Sequence, residues 1–255
     1  MSLHVEVTGQ GEPLVMLHGW GMHGGVWSDA VARLAQAFEV HNVDLPGHGE
    51  SGLPGAFTLE AVTGQLAAHF DQPFMLLGWS LGGIIAQHWA AREPRLIRRM
   101  VLVASTPCFT GREDWQCGMP QQTLEQFAAE LGNNHAATLR RFLALQVRGS
   151  EGERELLGLL RERLFSRGEP HLDALRGGLQ ILRDADLREV LPRIAQPTLV
   201  LAGGRDKLTP PQASHHLAQQ MPCARVVEIE GAAHAPFLSH PEIFVEQVCG
   251  FLNIN

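Results

Sequence analysis

Short unbroken apolar runs alternate with stretches of helical periodicity over the first 106 residues. Residues 13–17, 38–43, 74–78 and 100–104 read as strands, and residues 26–36, 59–69 and 81–92 read as the helices between them. A strand that is apolar at every position has two faces to cover, so this pattern predicts a parallel sheet with helices packed on both sides. The pattern then changes. From about residue 110 to residue 186 no strand-like run appears, and four helical segments follow one another at 121–131, 136–147, 152–165 and 171–183. Strands resume at 197–202 and 224–229, and an amphipathic helix at 241–252 closes the chain. The expected fold class is α/β, with a mostly parallel central sheet flanked by helices. Residues 1–109 and 187–255 would form the core domain, and residues 110–186 an inserted helical lid.

Three positions at predicted strand ends carry chemistry. Gly78-Trp79-Ser80-Leu81-Gly82 is a G-x-S-x-G pattern that follows a strand and opens a helix. A serine on so tight a turn needs neighbours without side chains, and the helix start beside it offers N–H groups to a developing oxyanion. A serine hydroxyl is a weak nucleophile until a base takes its proton, and that base needs a carboxylate to orient it. Asp206 follows the strand at 197–202 through Gly203-Gly204-Arg205, and His234 follows the strand at 224–229. The order Ser, Asp, His along the chain is that of α/β-hydrolases, unlike the orders of the chymotrypsin and subtilisin types. His18-Gly19-Trp20-Gly21 lies where such folds place a second oxyanion donor, so the backbone N–H groups of Trp20 and Leu81 are the expected pair. His18 is expected to hydrogen-bond within its loop, and the Gly- and Pro-rich run at 44–51 to frame the site.

Composition narrows the picture further. The chain has 255 residues, with 45% hydrophobic and 18% charged, which excludes a disordered or fibrous chain. Twenty basic against 27 acidic residues leave a net charge of −7, a poor match to a nucleic-acid partner. Four cysteines (Cys108, Cys117, Cys223, Cys249) without CxxC spacing read as free thiols of a reducing cytoplasm, and the 13 histidines show no ligand spacing with them, so no metal or other cofactor is expected. His215 and His216 read as surface residues of a helix. No apolar run is long enough to span a bilayer and no secretory leader is evident, so the expectation is a cytoplasmic monomer that touches no membrane. Tyrosine is absent. Together with serine at the elbow, where epoxide hydrolases and haloalkane dehalogenases place a carboxylate, this sets aside both classes.

These motifs together resemble the α/β-hydrolase superfamily over essentially the whole chain. HGWG at 18–21, GWSLGG at 78–83, the segment Phe142-Leu143-Ala144-Leu145-Gln146 after Arg141, and AHAPF at 233–237 resemble the pimeloyl-[acyl-carrier protein] methyl ester esterases of biotin synthesis. The resemblance implies a serine carboxylesterase whose partner is an acyl-carrier protein bearing a pimeloyl methyl ester. It also implies acyl contacts at Trp20, Ser80, Leu81, Phe142, Leu143, Ala144, Leu145, Gln146 and His234. Residues 140–167 hold seven Arg against four Glu in a chain of net negative charge. The pairs Arg141 and Arg148, and Arg154 and Arg161, are seven apart, one helix face each. They are candidates for docking an acidic carrier, although the position four before Arg141 is Ala137, a departure from the family's arginine pattern. A broad carboxylesterase and a C–C bond hydrolase keep the same three residues and stay open, as does a binding module that lost catalysis, although such modules usually lack one of the three.

Overall fold

The computed structural model describes residues 3–253. Seven strands form one sheet: β1 (His4–Thr8), β2 (Glu12–Leu17), β3 (Phe38–Asp44), β4 (Phe74–Trp79), β5 (Ile97–Val103), β6 (Thr198–Gly203) and β7 (Ala224–Ile229), in the order β1-β3-β2-β4-β5-β6-β7. Only β1 runs antiparallel, against β3; the other neighbours are parallel. Every residue of β4 and β6 is buried, as their unbroken apolar runs require, whereas β1 lies half-exposed at the sheet edge.

Helices α1 (Ser28–Leu34), α2 (Leu59–His69) and α3 (Leu81–Arg92) connect the first strands. The expected helix at 26–36 is shorter than its periodicity suggests, because residues Gly24–Trp27 form a tighter 3₁₀ turn in front of α1. Between β5 and β6 come α4 (Gln121–Leu131), α5 (His135–Val147), α6 (Glu153–Leu164) and α7 (Leu172–Asp184), and after β6 come α8 (Pro211–Gln220), α9 (Pro236–Ser239) and α10 (Pro241–Leu252). Local chemistry sets several helix starts. Thr58 caps α2 by accepting the Ala61 N–H, Asn134 caps α5 by accepting the Ala137 N–H, and proline occupies the first turn of α8 and α10.

Strand order reverses direction at the β2/β4 boundary, since β3 lies on one side of β2 and β5 on the far side of β4. Loops leaving the carboxyl ends of β2 and β4 therefore diverge to opposite faces and open a crevice between them. Leu17 pairs with Gly78 at that boundary, which brings the 18–21 loop against the turn at Ser80.

Helices α6 and α7 and the turn between them seat on the loops around this crevice. The His171 N–H donates to the Gly47 carbonyl at 2.7 Å, and the Trp20 indole N–H donates to the Leu175 carbonyl at 2.9 Å. Arg163 reaches the Val26 carbonyl and Asp29, and Arg167 reaches Asp44 and Glu6.

Candidate active site

Ser80 is the residue between β4 and α3, and its backbone sits at φ 54°, ψ −117°. A side chain other than glycine's rarely takes such a conformation, and it persists here because the surroundings enforce it. A Cβ at Gly78 would lie 2.4 Å from the Gly82 carbonyl oxygen, and one at Gly82 would lie 2.5 Å from that of Leu17. Those two glycines let the turn close and let the β2 loop approach it.

The three strand-end residues converge. His234 Nε2 is 2.9 Å from Ser80 Oγ, and His234 Nδ1 is 2.8 Å from Asp206 Oδ2. An ionised carboxylate only accepts, so the Nδ1–H donates to Asp206 and Nε2 is left to accept the Ser80 proton. Asp206 is fixed from the other side as well. Its Oδ1 accepts the N–H groups of Leu208 at 2.8 Å and Thr209 at 3.0 Å, and its Oδ2 accepts the Thr209 hydroxyl at 2.7 Å. All three side chains are buried, with Ser80 4%, Asp206 3% and His234 0% exposed. In such a water-poor setting each of these hydrogen bonds is electrostatically stronger than in solution.

The main chain of His234 is held as firmly as its ring. The Trp79 indole N–H donates to the His234 carbonyl at 2.7 Å, and the His234 N–H donates to the Gln146 carbonyl at 3.0 Å. The N–H groups of Trp20 and Leu81, the pair expected as oxyanion donors, make no hydrogen bond to an acceptor among the described residues.

His18 lies in the same loop as Trp20 but away from proton transfer. Its Nδ1–H donates to the Gly19 carbonyl at 2.8 Å, and its Nε2 accepts the Leu45 N–H at 2.9 Å. Burial, with the neighbouring His48 adding to it, pushes its pKa down to about 3, so the ring is neutral and braces the β2 and β3 loops together. Asp44 frames the site in turn. Burial raises its carboxyl, but the Glu50 N–H, His18, the Gly24 N–H and Arg167 outweigh that and hold it below the usual carboxylate range.

Over the crevice, Trp20 packs edge-on against Phe142 with ring centroids 4.9 Å apart, and both are buried. Phe142 and Gln146 are one turn apart on α5 and so share a face. Leu143 is buried in the core, while Ala144 and Leu145 are half-buried. The Gln146 side-chain oxygen is buried without a partner.

Residues 12–241 match the family described as alpha/beta hydrolase fold. The chain belongs to the α/β-hydrolase family. Among its relatives, the pimeloyl-[acyl-carrier protein] methyl ester esterase of Nitrosomonas europaea is 45% identical over 245 residues, covering 96% of this chain and 97% of the relative. The protein of the same name from Chromobacterium violaceum is 45% identical over 252 residues, covering 99% and 98%. Of solved structures, an esterase from Exiguobacterium antarcticum superposes with a TM-score of 0.90 at 23% identity, covering 99% of this chain and 96% of that one. The enol-lactonase from Burkholderia xenovorans gives 0.86 at 24% identity, covering 99% and 96%. These two share the fold.

In this α/β-hydrolase Arg140 lies 5.6 Å over the Phe165 ring, and the other six arginines of residues 140–167 divide into two sets. Arg141 pairs with Glu130 and lies 5.1 Å over the Phe127 ring, Arg163 pairs with Asp29, and Arg167 pairs with Asp44 and Glu6. Arg148, Arg154 and Arg161 are exposed and have no carboxylate within ion-pair distance among the described residues. Arg148 sits just past the end of α5 rather than within it, so it shares no helical face with Arg141. Three residues support the site from outside the three strand-end positions: Trp79, Thr209 and Ser150, whose Oγ accepts the Ala233 N–H at 3.0 Å. Of these only Trp79 had a sequence signal, as the variable position of the G-x-S-x-G turn.

Proposed function

We propose that this protein is a serine carboxylesterase that hydrolyses the methyl ester of a pimeloyl chain carried on an acyl-carrier protein, a step of biotin synthesis. The carrying observation is the unbroken relay from Ser80 Oγ through His234 to Asp206, with links of 2.9 and 2.8 Å in a buried crevice. Ser80 attacks the ester carbonyl carbon as its proton passes to His234 Nε2. Asp206 keeps the imidazole in the Nδ1–H form and stabilises the imidazolium. The N–H groups of Trp20 and Leu81 take the negative charge on the carbonyl oxygen. Methanol leaves with the proton from His234, and a water activated by the same nitrogen then releases the acid from Ser80.

The substrate reading is supported by the names of the relatives at 45% identity and by the buried packing of Trp20, from the loop after β2, on Phe142 of the inserted helices. Residues 110–186 act as a lid on the core formed by 1–109 and 187–255. Arg148, Arg154 and Arg161 supply the unpaired positive charge that an acidic carrier would meet, with Arg141 at the edge of that surface. The enzyme works as a cytoplasmic monomer without a cofactor. No described helix is long and apolar enough to cross a membrane.

Two experiments test the reading. Ser80→Ala is expected to lower ester hydrolysis by about 10⁶, as loss of such a serine does elsewhere; retention of a tenth of the activity would reject the nucleophile. Complementation of a biotin-requiring strain that lacks its own esterase tests the substrate. Growth without biotin supports it, and failure despite soluble, active protein moves the assignment to a broad carboxylesterase.

A further inference from the structure

The end of α5 and the segment joining it to α6 touch the loop that carries His234 at successive points. The His234 N–H donates to the Gln146 carbonyl at 3.0 Å, the Ala233 N–H donates to Ser150 Oγ at 3.0 Å, and the Glu151 N–H donates to the Gly231 carbonyl at 3.1 Å. Arg205, next to Asp206, adds a bond from its guanidinium to the Gly149 carbonyl at 3.3 Å. Ser150 is the one member of this set that contributes a side-chain acceptor to the His234 loop. It is 9% exposed, and Gly149 and Gly152 on either side take left-handed backbone conformations (φ 88° and 66°) that fold the segment back on itself.

Three hydrogen bonds therefore fix three successive peptide groups around His234: Trp79 of β4 holds the one after its α-carbon, Gln146 the one before it, and Ser150 the one before that. The core supplies one and the insertion supplies two. Gly203 adds contact from the β6 side, with its α-carbon pressed so near the Ala233 carbonyl that a Cβ would lie 1.9 Å away. On the β6 side the Arg205 N–H also donates to the Ala232 carbonyl at 2.8 Å, so the peptide between Ala232 and Ala233 is held through its oxygen by the core and through its N–H by Ser150.

We infer that Ser150 is a positioning residue for His234: by accepting the Ala233 N–H it fixes the backbone from which the imidazole reaches Ser80. This rests on the proposed role of His234 as the base. Removing the hydroxyl leaves a buried N–H without a partner, and the loop relaxes toward whatever acceptor it can find. Ser80 and Asp206 stay where their own strands put them, so the change falls on the alignment between the imidazole and Ser80. Misplacement on the scale of an ångström is enough to cost a large factor in rate.

The test measures steady-state hydrolysis of p-nitrophenyl butyrate per active site, with sites titrated by a fluorophosphonate that reacts with Ser80. Ser150→Ala is expected to lower kcat about tenfold with KM within about a factor of two of wild type. It should also shift or broaden the low-field proton resonance of the His234 Nδ1–H. Ser150→Thr, which keeps the acceptor, should restore at least half of kcat. Should the alanine variant not fold, Ser150→Cys keeps the size with a poor acceptor and is read the same way. A wild-type kcat per titrated site with an unmoved proton resonance, in either variant, overturns the inference, as does a loss that threonine does not rescue. Ser80→Ala assayed in parallel separates the two levels: if it stays active, the reading of the site has failed and not the role of Ser150.

Discussion

Two glycines in the middle of inserted helices make a matched pair of perturbations. Gly178 lies in α7, where a Cβ would meet the Trp20 ring at 2.5 Å from Cδ1 and 3.0 Å from Nε1, and Leu81 at 3.4 Å. Carbon atoms settle at about 3.5–4.0 Å, so the indole must retreat by about 1 Å. It has little room to do so, because its N–H is bonded to the Leu175 carbonyl and its edge packs on Phe142. Replacing a mid-helix glycine by alanine gains up to about 1 kcal/mol, whereas overpacking a filled core costs about 1–3 kcal/mol. Gly178→Ala is therefore expected to lie between neutral and about 2 kcal/mol less stable. Activity should respond far more. Trp20 is proposed to supply an oxyanion donor, and displacing one by about 1 Å is worth ten- to a hundredfold in kcat.

Gly158 in α6 provides the control, since no heavy atom lies within 4 Å of its would-be Cβ. Gly158→Ala should gain about 0.5–1 kcal/mol, a rise of about 2–3 °C in Tm for a chain of this size, with kcat unchanged. Thermal unfolding and p-nitrophenyl ester hydrolysis on both variants decide the matter. If Gly178→Ala keeps wild-type kcat, the coupling of α7 to the oxyanion loop is wrong. If Gly158→Ala loses activity as well, the insertion responds to any change in its helices and the contact with Trp20 explains nothing.

Asp206→Asn is expected to stay folded with kcat down by about 10⁴, because an amide in place of the carboxylate favours the wrong imidazole tautomer; an active variant at neutral pH would refute the orienting role. Acid sensitivity follows from the buried histidines. Burial lowers His18 to about 3 and His48 to about 4, so above about pH 6.5 both are neutral in either state, and below it the unfolded chain takes up protons that the folded one refuses. Stability should fall by about 1.4 kcal/mol per pH unit for each as pH drops from 6.5 toward 4, and denaturant titrations that are flat between pH 6.5 and 5 would contradict this. Reversing Arg154 and Arg161 to Glu should depress kcat/KM for an acyl-carrier substrate, less so as salt screens the attraction over about 8–10 Å. Hydrolysis of p-nitrophenyl acetate should hardly change, and equal loss on both substrates would mean that the arginines stabilise the lid instead.

The central strands and the inserted helices were legible in the sequence because each leaves an unambiguous period: unbroken apolar runs for strands buried on both faces, and a repeating apolar stripe for helices such as α7. β1 was not legible. Its five residues, HVEVT, are half-exposed at an antiparallel edge and leave no apolar run to detect. Helix α8 shows only through its histidine pair, since its buried face is reduced to Ala213, Ser214 and Leu217. Ser80, Asp206 and His234 each follow a strand and so announce themselves locally. What holds them does not, because the partners are far apart in sequence: Ser150 and Ala233 are separated by 83 residues, Trp79 and His234 by 155. The arginine count misleads for the same reason. Arg163 and Arg167 read as surface charge until the fold brings Asp29, Asp44 and Glu6 to them.

Burial of Ser80 sets a condition on how a carrier-borne ester would reach it. The serine is only 4% exposed, so some covering element has to give way. The two candidate elements are not equivalent. The end of α5 and the segment after it hold the main chain around His234 through Gln146 and Ser150, so withdrawing them would admit substrate while loosening the base that must act on it. Helix α7 meets the Trp20 loop through Leu175 and Gly178 and the Gly47 loop through His171, and makes no hydrogen bond to Ser80, Asp206 or His234 among the described residues. An entry route that spares the hydrogen bonds around His234 is therefore expected on the α7 side, with the α5–α6 connection as the fixed element.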